Sequence, residues 1–382
     1  MKILVLNREY YPLIGGGGRA TRILVEKWVR LGFEVDIIVA RLSNAAAHEV
    51  VNGVNVHRVW ALSRRESMTL LGAIGYTVSA LLKGIMLLRK HRYAAIHSGF
   101  LVPAGFVGAL LSKLYHLPHE TVPMGGDVYE PTKKLSPHRN FLFRWIVRWV
   151  INNSIVSTMS SDLEEKIRRF YSKNAPLHRI PLAFLEPRGI ETKTDRAPHT
   201  AEGGTTILAV GSLFRRKNYD KMIEAIAVLG RADVALRIIG KDKSGEPIQQ
   251  ELQTLAREKG VSDRVVFLGD VSDEEKYREY SGADIFCMFA THDGTSLVCQ
   301  EAMYFGLPII ASNTGGQTDF LVDGENAFLV NVHHPQEAAG AMERLIGDPA
   351  LRLKFSSRVR VGIKEFFVDQ IARRHLELMK IL

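Results

Sequence analysis

Cysteine is almost missing from this chain: Cys287 and Cys299 are the only two in 382 residues. Two thiols cannot staple a small secreted fold or furnish a cysteine-rich zinc site, so a chain of this length must rely on buried apolar surface. The start, Met1–Asn7, has an apolar run too short for a secretory signal, and with the scarce cysteine it predicts a reducing, cytoplasmic setting, with the inner face of the cytoplasmic membrane as an alternative location. No Asp-x-Asp pair stands at a strand end, which leaves no ready carboxylate clamp for a divalent metal; the expectation is no metal and no cofactor. Carboxylates are scarce in the first half: Met1 to Ile190 holds 26 Lys+Arg against 13 Asp+Glu, whereas the remainder is slightly acidic. A basic half attracts anionic surfaces. Because no recognition-helix, zinc or RNA-binding pattern accompanies the charge, nucleic acid is not the expected partner.

What the chain does have is alternation. Lys2–Asn7, Phe33–Ala40, Ala94–Ser98, Glu120–Val122 and Ser154–Thr158 read as strands separated by helical stretches such as Arg19–Leu31. Alternating strands and helices predict doubly wound, Rossmann-like parallel sheets. The polar stretch around Thr192–Gly204 lacks apolar periodicity and divides the chain. The expected organisation is a first domain over 1–190, a linker over 191–204, a second domain over 205–365 and a terminal helix over 366–382. That last helix has Ile371, Leu376, Met379 and Ile381 to bury.

The richest segment is Asp293–Gly316. Strand Ala283–Phe289 leads into a short loop and a helix over Ser296–Phe305, so the amides of Gly294, Thr295, Ser296 and Leu297 lie at a helix start that favours a diphosphate. Glu301, further along, offers acceptor oxygens for two vicinal ribose hydroxyls. Gly306-Leu307-Pro308 ends the helix and opens strand Pro308–Ala311, and Gly315-Gly316 allows close backbone approach. Strand Thr206–Gly211 is followed by Ser212, Arg215, Arg216 and Lys217 before a helix from Tyr219. Cations are poorly placed at a helix start unless an anion binds there. Gly240 and Gly269 end two further strands at the same edge, and Gly15–Gly18 forms a glycine loop after the first strand.

An acidic residue, seven residues, Glu and Ala-Met, then Gly-x-Pro and Gly-Gly resembles the donor-binding signature of retaining family 4 glycosyltransferases. The resemblance covers nearly the whole chain. It implies a GT-B architecture of two Rossmann-like α/β domains facing across a cleft, with acceptor on the first and nucleotide sugar on the second. Carried onto this sequence, it implies Lys217, Asp293 and Asp127 at the reaction centre. It also implies donor contacts from Gly16, Gly17, Ser212, Arg216, Lys217, Gly240, Gly294–Leu297 and Glu301, and acceptor-side contacts from Gly125, Gly126 and Asp127. The chain departs from the family pattern in three places. Met124 stands where many members have histidine, Ser212 where an arginine is usual, and Asp293 where glutamate is usual. The implied reaction is sugar transfer with retention from a nucleoside diphosphate sugar to a hydroxyl of a sugar or lipid-linked acceptor.

Two apolar segments point toward a membrane surface as well as toward a core. Met68–Leu88 is long enough to cross a bilayer but contains Lys83, and it fits a helix buried between neighbours or lying partly in an anionic interface. Asn140–Asn152 places Arg144 with Arg148 and Trp145 with Trp149 at helical spacing. A nicotinamide enzyme lacks its G-x-G-x-x-G motif here. A sugar-nucleotide epimerase and a noncatalytic sugar-nucleotide scaffold are the other readings, separated from a transferase by donor turnover.

Overall fold

The computed structural model describes residues 1–382 except 12–14, 42–44, 62–68, 131–135, 188–189, 191–203, 243–246 and 292–293. Asp293 and nearly all of the expected linker therefore lie outside the described residues. The chain divides into one unit of Met1–Leu185 with Phe367–Leu382 and a second of Glu186–Phe366.

In the first unit the elements run β1 (Lys2–Leu6), α1 (Gly16–Arg30), β2 (Glu34–Ala40), β3 (His48–Val51), β4 (Val54–Val59), α2 (Leu70–Lys90), β5 (Ala95–Gly99), α3 (Phe106–Tyr115), β6 (His119–Val122), α4 (Phe141–Asn152), β7 (Ile155–Thr158), α5 (Ser161–Phe170) and β8 (Leu177–Arg179). The sheet order is β3-β4-β2-β1-β5-β6-β7-β8, parallel except for the β3–β4 hairpin. Strands β1 and β2 bury apolar side chains on both faces because helices cover both. On one face α1 and the terminal helix bury Trp28, whose indole N–H donates to the Ala372 carbonyl at 3.1 Å. On the other, α2 and α3 close over Leu4, Leu6, Ile38 and Ile96.

His119 is buried between the hydroxyls of Ser98 and Ser154, each 2.9 Å away, and burial lowers its pKa to about 3. It is a neutral core histidine, removed from any acid–base duty. Next to it, Glu120 receives His375 at 2.6 Å and His97 at 3.0 Å; burial disfavours its charge, but the two imidazoles hold its carboxyl well below the usual range.

The second unit runs β9 (Thr205–Val210), α6 (Tyr219–Leu229), β10 (Val234–Ile239), α7 (Ile248–Glu258), β11 (Val265–Gly269), α8 (Asp273–Gly282), β12 (Ile285–Met288), α9 (Leu297–Tyr304), β13 (Ile309–Ser312), β14 (Ala327–Val330), α10 (Pro335–Gly347) and α11 (Pro349–Gly362). Its parallel sheet has the order β11-β10-β9-β12-β13-β14. The chain then returns to the first unit, where α12 (Val368–Leu378) docks on α1; Ile371, Leu376, Met379 and Ile381 are all buried there.

Candidate functional site

In the second sheet the connections reverse direction between β9 and β12, and the carboxyl ends of these neighbours form the crevice where such sheets take ligands. The β9 loop is shaped by two glycines. Gly211 has φ 144° and its N–H donates to Ile239 O at 2.9 Å. Gly240 has φ 153°, and a Cβ there would meet Gly211 O at 2.0 Å, so only glycine lets the ends of β9 and β10 pack. Gly240 is thus explained by strand packing before any ligand is invoked.

After Ser212 and Leu213, a single tight turn spans Arg215–Lys217, and Asn218 takes left-handed geometry at φ 51°. Asn218 Nδ2 donates to Phe289 O at 2.7 Å and Thr291 N–H donates to Arg216 O at 3.2 Å, tying the loops after β9 and β12 together. Lys217 folds back over the strand end, its Nζ 4.0 Å from where a Gly211 Cβ would stand. The two arginines diverge. Arg215 pairs with Glu251 at 2.9 Å on the surface, while Arg216 lies over the Phe214 ring at 5.3 Å.

Beyond β12, Gly294, Thr295 and Ser296 lead into α9. Ser296 caps it, its Oγ accepting from Cys299 N–H at 3.4 Å, and Leu297 is the first helical residue. Glu301 is only 5% exposed. Its carboxylate accepts from Lys276 Nζ at 2.7 Å and from the Tyr280 hydroxyl at 3.0 Å. Sequence reasoning did not single out Lys276. The available signal was its position four residues before Tyr280 in α8, which sets both on one helix face. Gly315, at φ 91°, and Gly316 form a turn beside the same edge, anchored because Gln317 Nε2 donates to Ala290 O and Ser312 O, each at 3.2 Å.

The glycine loop of the first unit has a different occupant. Glu9 Oε2 accepts from Gly15 N–H at 3.1 Å and Gly18 N–H at 3.3 Å, so the anion at the start of α1 is the chain's own carboxylate. Gly17 lies against the Phe100 ring, where a Cβ would come within 2.5 Å of Cζ, whereas Gly16 has open space. The β5 and β6 loops are joined by Asp127, which accepts from Leu101 N–H at 2.6 Å and Met124 N–H at 2.8 Å. Burial raises its pKa to about 6 against these backbone hydrogen bonds. The geometry gives Asp127 a loop-shaping task. Gly125 has φ 91°, Gly126 is exposed, and Met124 packs into the cluster formed with Val122 and Val147.

Comparison with known proteins fits this architecture. Residues 15–183 match the glycosyl transferase 4-like domain, and residues 191–361 match glycosyl transferases group 1. An uncharacterised glycosyltransferase of Methanocaldococcus jannaschii is 26% identical across the whole chain and 98% of its own length. Sucrose-phosphate synthase from Thermosynechococcus elongatus has the same fold, with a TM-score of 0.83 at 20% identity, covering 100% of this chain and 98% of that one. Anabaena HepE, solved in complex with UDP-glucose, superposes with a TM-score of 0.75 at 18% identity, both chains being fully covered. With its two halves matched in order and two parallel-sheet units present, the chain belongs to the family 4, or group 1, glycosyltransferases and has their GT-B fold.

Proposed function

We propose that this glycosyltransferase moves a sugar, with retention, from a nucleoside diphosphate sugar to a hydroxyl of a lipid-linked or envelope-polysaccharide acceptor, working at the cytoplasmic side of a membrane. One observation carries the donor half of this reading. Lys217 and the start of α9 follow the two central strands of the second sheet, their loops are hydrogen-bonded together, and Glu301 lies one turn into that helix. A diphosphate has a cation and helix-start amides to meet, and a ribose has a fixed acceptor. HepE, with its UDP-glucose, supports a nucleotide-sugar ligand for this fold.

In the proposed step the bond from the anomeric carbon to the diphosphate oxygen breaks. The acceptor oxygen bonds to that carbon on the same face, and its proton passes to the leaving diphosphate. Lys217 and the amides of Thr295, Ser296 and Leu297 stabilise the charge that develops on the leaving group. Asp293 is proposed to face the sugar. Metal is not required in this scheme, so a chelator should leave the rate unchanged.

Calorimetry with UDP, GDP, ADP and dTDP, followed by the matching nucleotide sugars and mass-spectrometric detection of slow hydrolysis, tests the reading. Selective binding of one nucleotide with release of its sugar is expected. Lys217→Ala should lower kcat, and Glu301→Ala should weaken nucleotide binding. No binding to any nucleotide would remove the donor assignment.

A further inference from the structure

Helix α2 is apolar on two sides. Its inner side, including Tyr76, Ala80 and Leu87, is buried against the sheet and α3. Its outer side carries Ile74, Val78, Leu82 and Met86, which are 52%, 54%, 63% and 51% exposed. Their four-residue spacing makes a single ridge about 18 Å long at the helical rise. The connections from β4 through β5 and β6 to β7 advance across the sheet in one direction, so right-handed crossovers put α2, α3 and α4 on the same face. There α3 adds Leu114, and the first turns of α4 add Phe141 at 84% and Trp145 at 62% exposure. Scattered exposed apolar side chains are ordinary, but a ridge continued by neighbouring helices marks a contact surface.

The charges on these helices have one sign. From Ser67 to His119 there is no Asp or Glu, and the basic residues are Lys83, Arg89, Lys90, Arg92 and Lys113; from Pro131 to Ser161 there is again no acid, while Arg144 and Arg148 interrupt the apolar face of α4. Both arginines are exposed, and the Lys113 ammonium lies 5.3 Å from the centre of the Trp149 ring. Apolar side chains and indoles on three helices that carry cations and no acid complement a bilayer with anionic phosphate headgroups. Although α2 has the length and composition to span a membrane, spanning would pull the Tyr76 hydroxyl from Ile38 O, 3.1 Å away, and empty the core beneath it.

We propose that the α2–α4 face of the first unit docks on an anionic phospholipid surface. The α2 ridge, Phe141 and Trp145 enter the interface, and Arg144, Arg148 and Lys113 meet phosphate. This deepens the reading of a membrane-borne acceptor and rests on it. It is tested by sedimenting the full-length protein with vesicles of phosphatidylglycerol and phosphatidylcholine, or of phosphatidylcholine alone. The wild type should pellet with the anionic vesicles only. The double variant Ile74→Glu/Leu82→Glu should stay in the supernatant, and Arg144→Gln or Arg148→Gln should each weaken partitioning about fivefold. All variants should keep the wild-type circular dichroism and nucleotide affinity. Wild-type protein left in the supernatant, equal pelleting with both vesicle types, or a dimer broken by the double variant would overturn the proposal; the last would assign this face to a second copy. Lost nucleotide binding with intact vesicle binding would instead strike the donor reading alone.

Discussion

Replacing Lys276 by methionine tests whether Glu301 is held in place by charge. The two side chains are 9% and 7% exposed and their charged atoms are 2.7 Å apart. At an effective dielectric of about 20 their attraction is about 6 kcal/mol, much of it offset by the cost of removing both groups from water. Methionine keeps most of the lysine's apolar length but leaves a buried carboxylate with the Tyr280 hydroxyl still donating to it. Losing one partner of a buried pair costs about 3–5 kcal/mol, and the remaining hydroxyl places this site near 3. For a unit of this size that lowers its melting temperature by roughly 6–12 °C. All four tryptophans, Trp28, Trp60, Trp145 and Trp149, belong to the first unit, so their fluorescence does not report the change. Peptide-level hydrogen exchange across α8 and α9, with far-ultraviolet circular dichroism, does. The double variant Lys276→Met/Glu301→Leu removes both charges and should recover most of the stability while lacking nucleotide affinity. A single variant within about 1 kcal/mol of wild type, or a double variant as unstable as the single, would refute the reasoning.

Two other outcomes follow from the packing. Gly240→Ala forces a Cβ to within 2.0 Å of Gly211 O at φ 153°, and the overpacking and backbone strain together should cost about 3 kcal/mol or more, read as a lowered urea midpoint for the second unit. The first unit should be acid-labile: the folded pKa of His119, about 3, lies below its ordinary 6.5, so the unfolded chain takes up the proton first as pH falls. Its contribution is complete above about pH 6.5 and shrinks by about 1.4 kcal/mol per pH unit toward pH 3. Tryptophan-monitored urea unfolding should therefore show about 2 kcal/mol less stability at pH 5 than at 6.5, and His119→Asn should flatten that slope.

The parallel sheets were legible because strands covered on both faces leave unbroken apolar runs, as in Ile3–Leu6 and Ile285–Met288, and because helix-stop glycines such as Gly306 punctuate them. The hairpin β3–β4 was not. His48–Val51 is short and half exposed, and it takes strand geometry only by pairing with β4. At the site, residue types marked candidate positions, since cations ahead of a helix start are unfavourable without an anion to meet them. The partners that hold them did not show: Lys276 reaches Glu301 from a different helix, and Asp127 reaches Leu101 from a different loop. Those contacts depend on tertiary placement: the spacing of α8 sets Lys276 and Tyr280 on one face without saying what that face meets.

The two units also differ at corresponding loops. Each has a loop between its first strand and first helix, the place where helix-start amides favour an anion. In the first unit Glu9 supplies that anion from within the chain, capping Gly15 and Gly18. In the second, the run from Gly211 to Tyr219 contains no acid at all, and Arg215, Arg216 and Lys217 stand there instead. One loop is met by its own carboxylate, whereas the other carries three cations, of which Arg215 turns to Glu251 on the surface. A diphosphate entering the first loop would have to displace a carboxylate; at the second it meets cations, with a second helix start following the adjoining strand β12. In the proposed division of labour, with the donor on the second unit, the two loops differ by where the chain places one glutamate and one lysine.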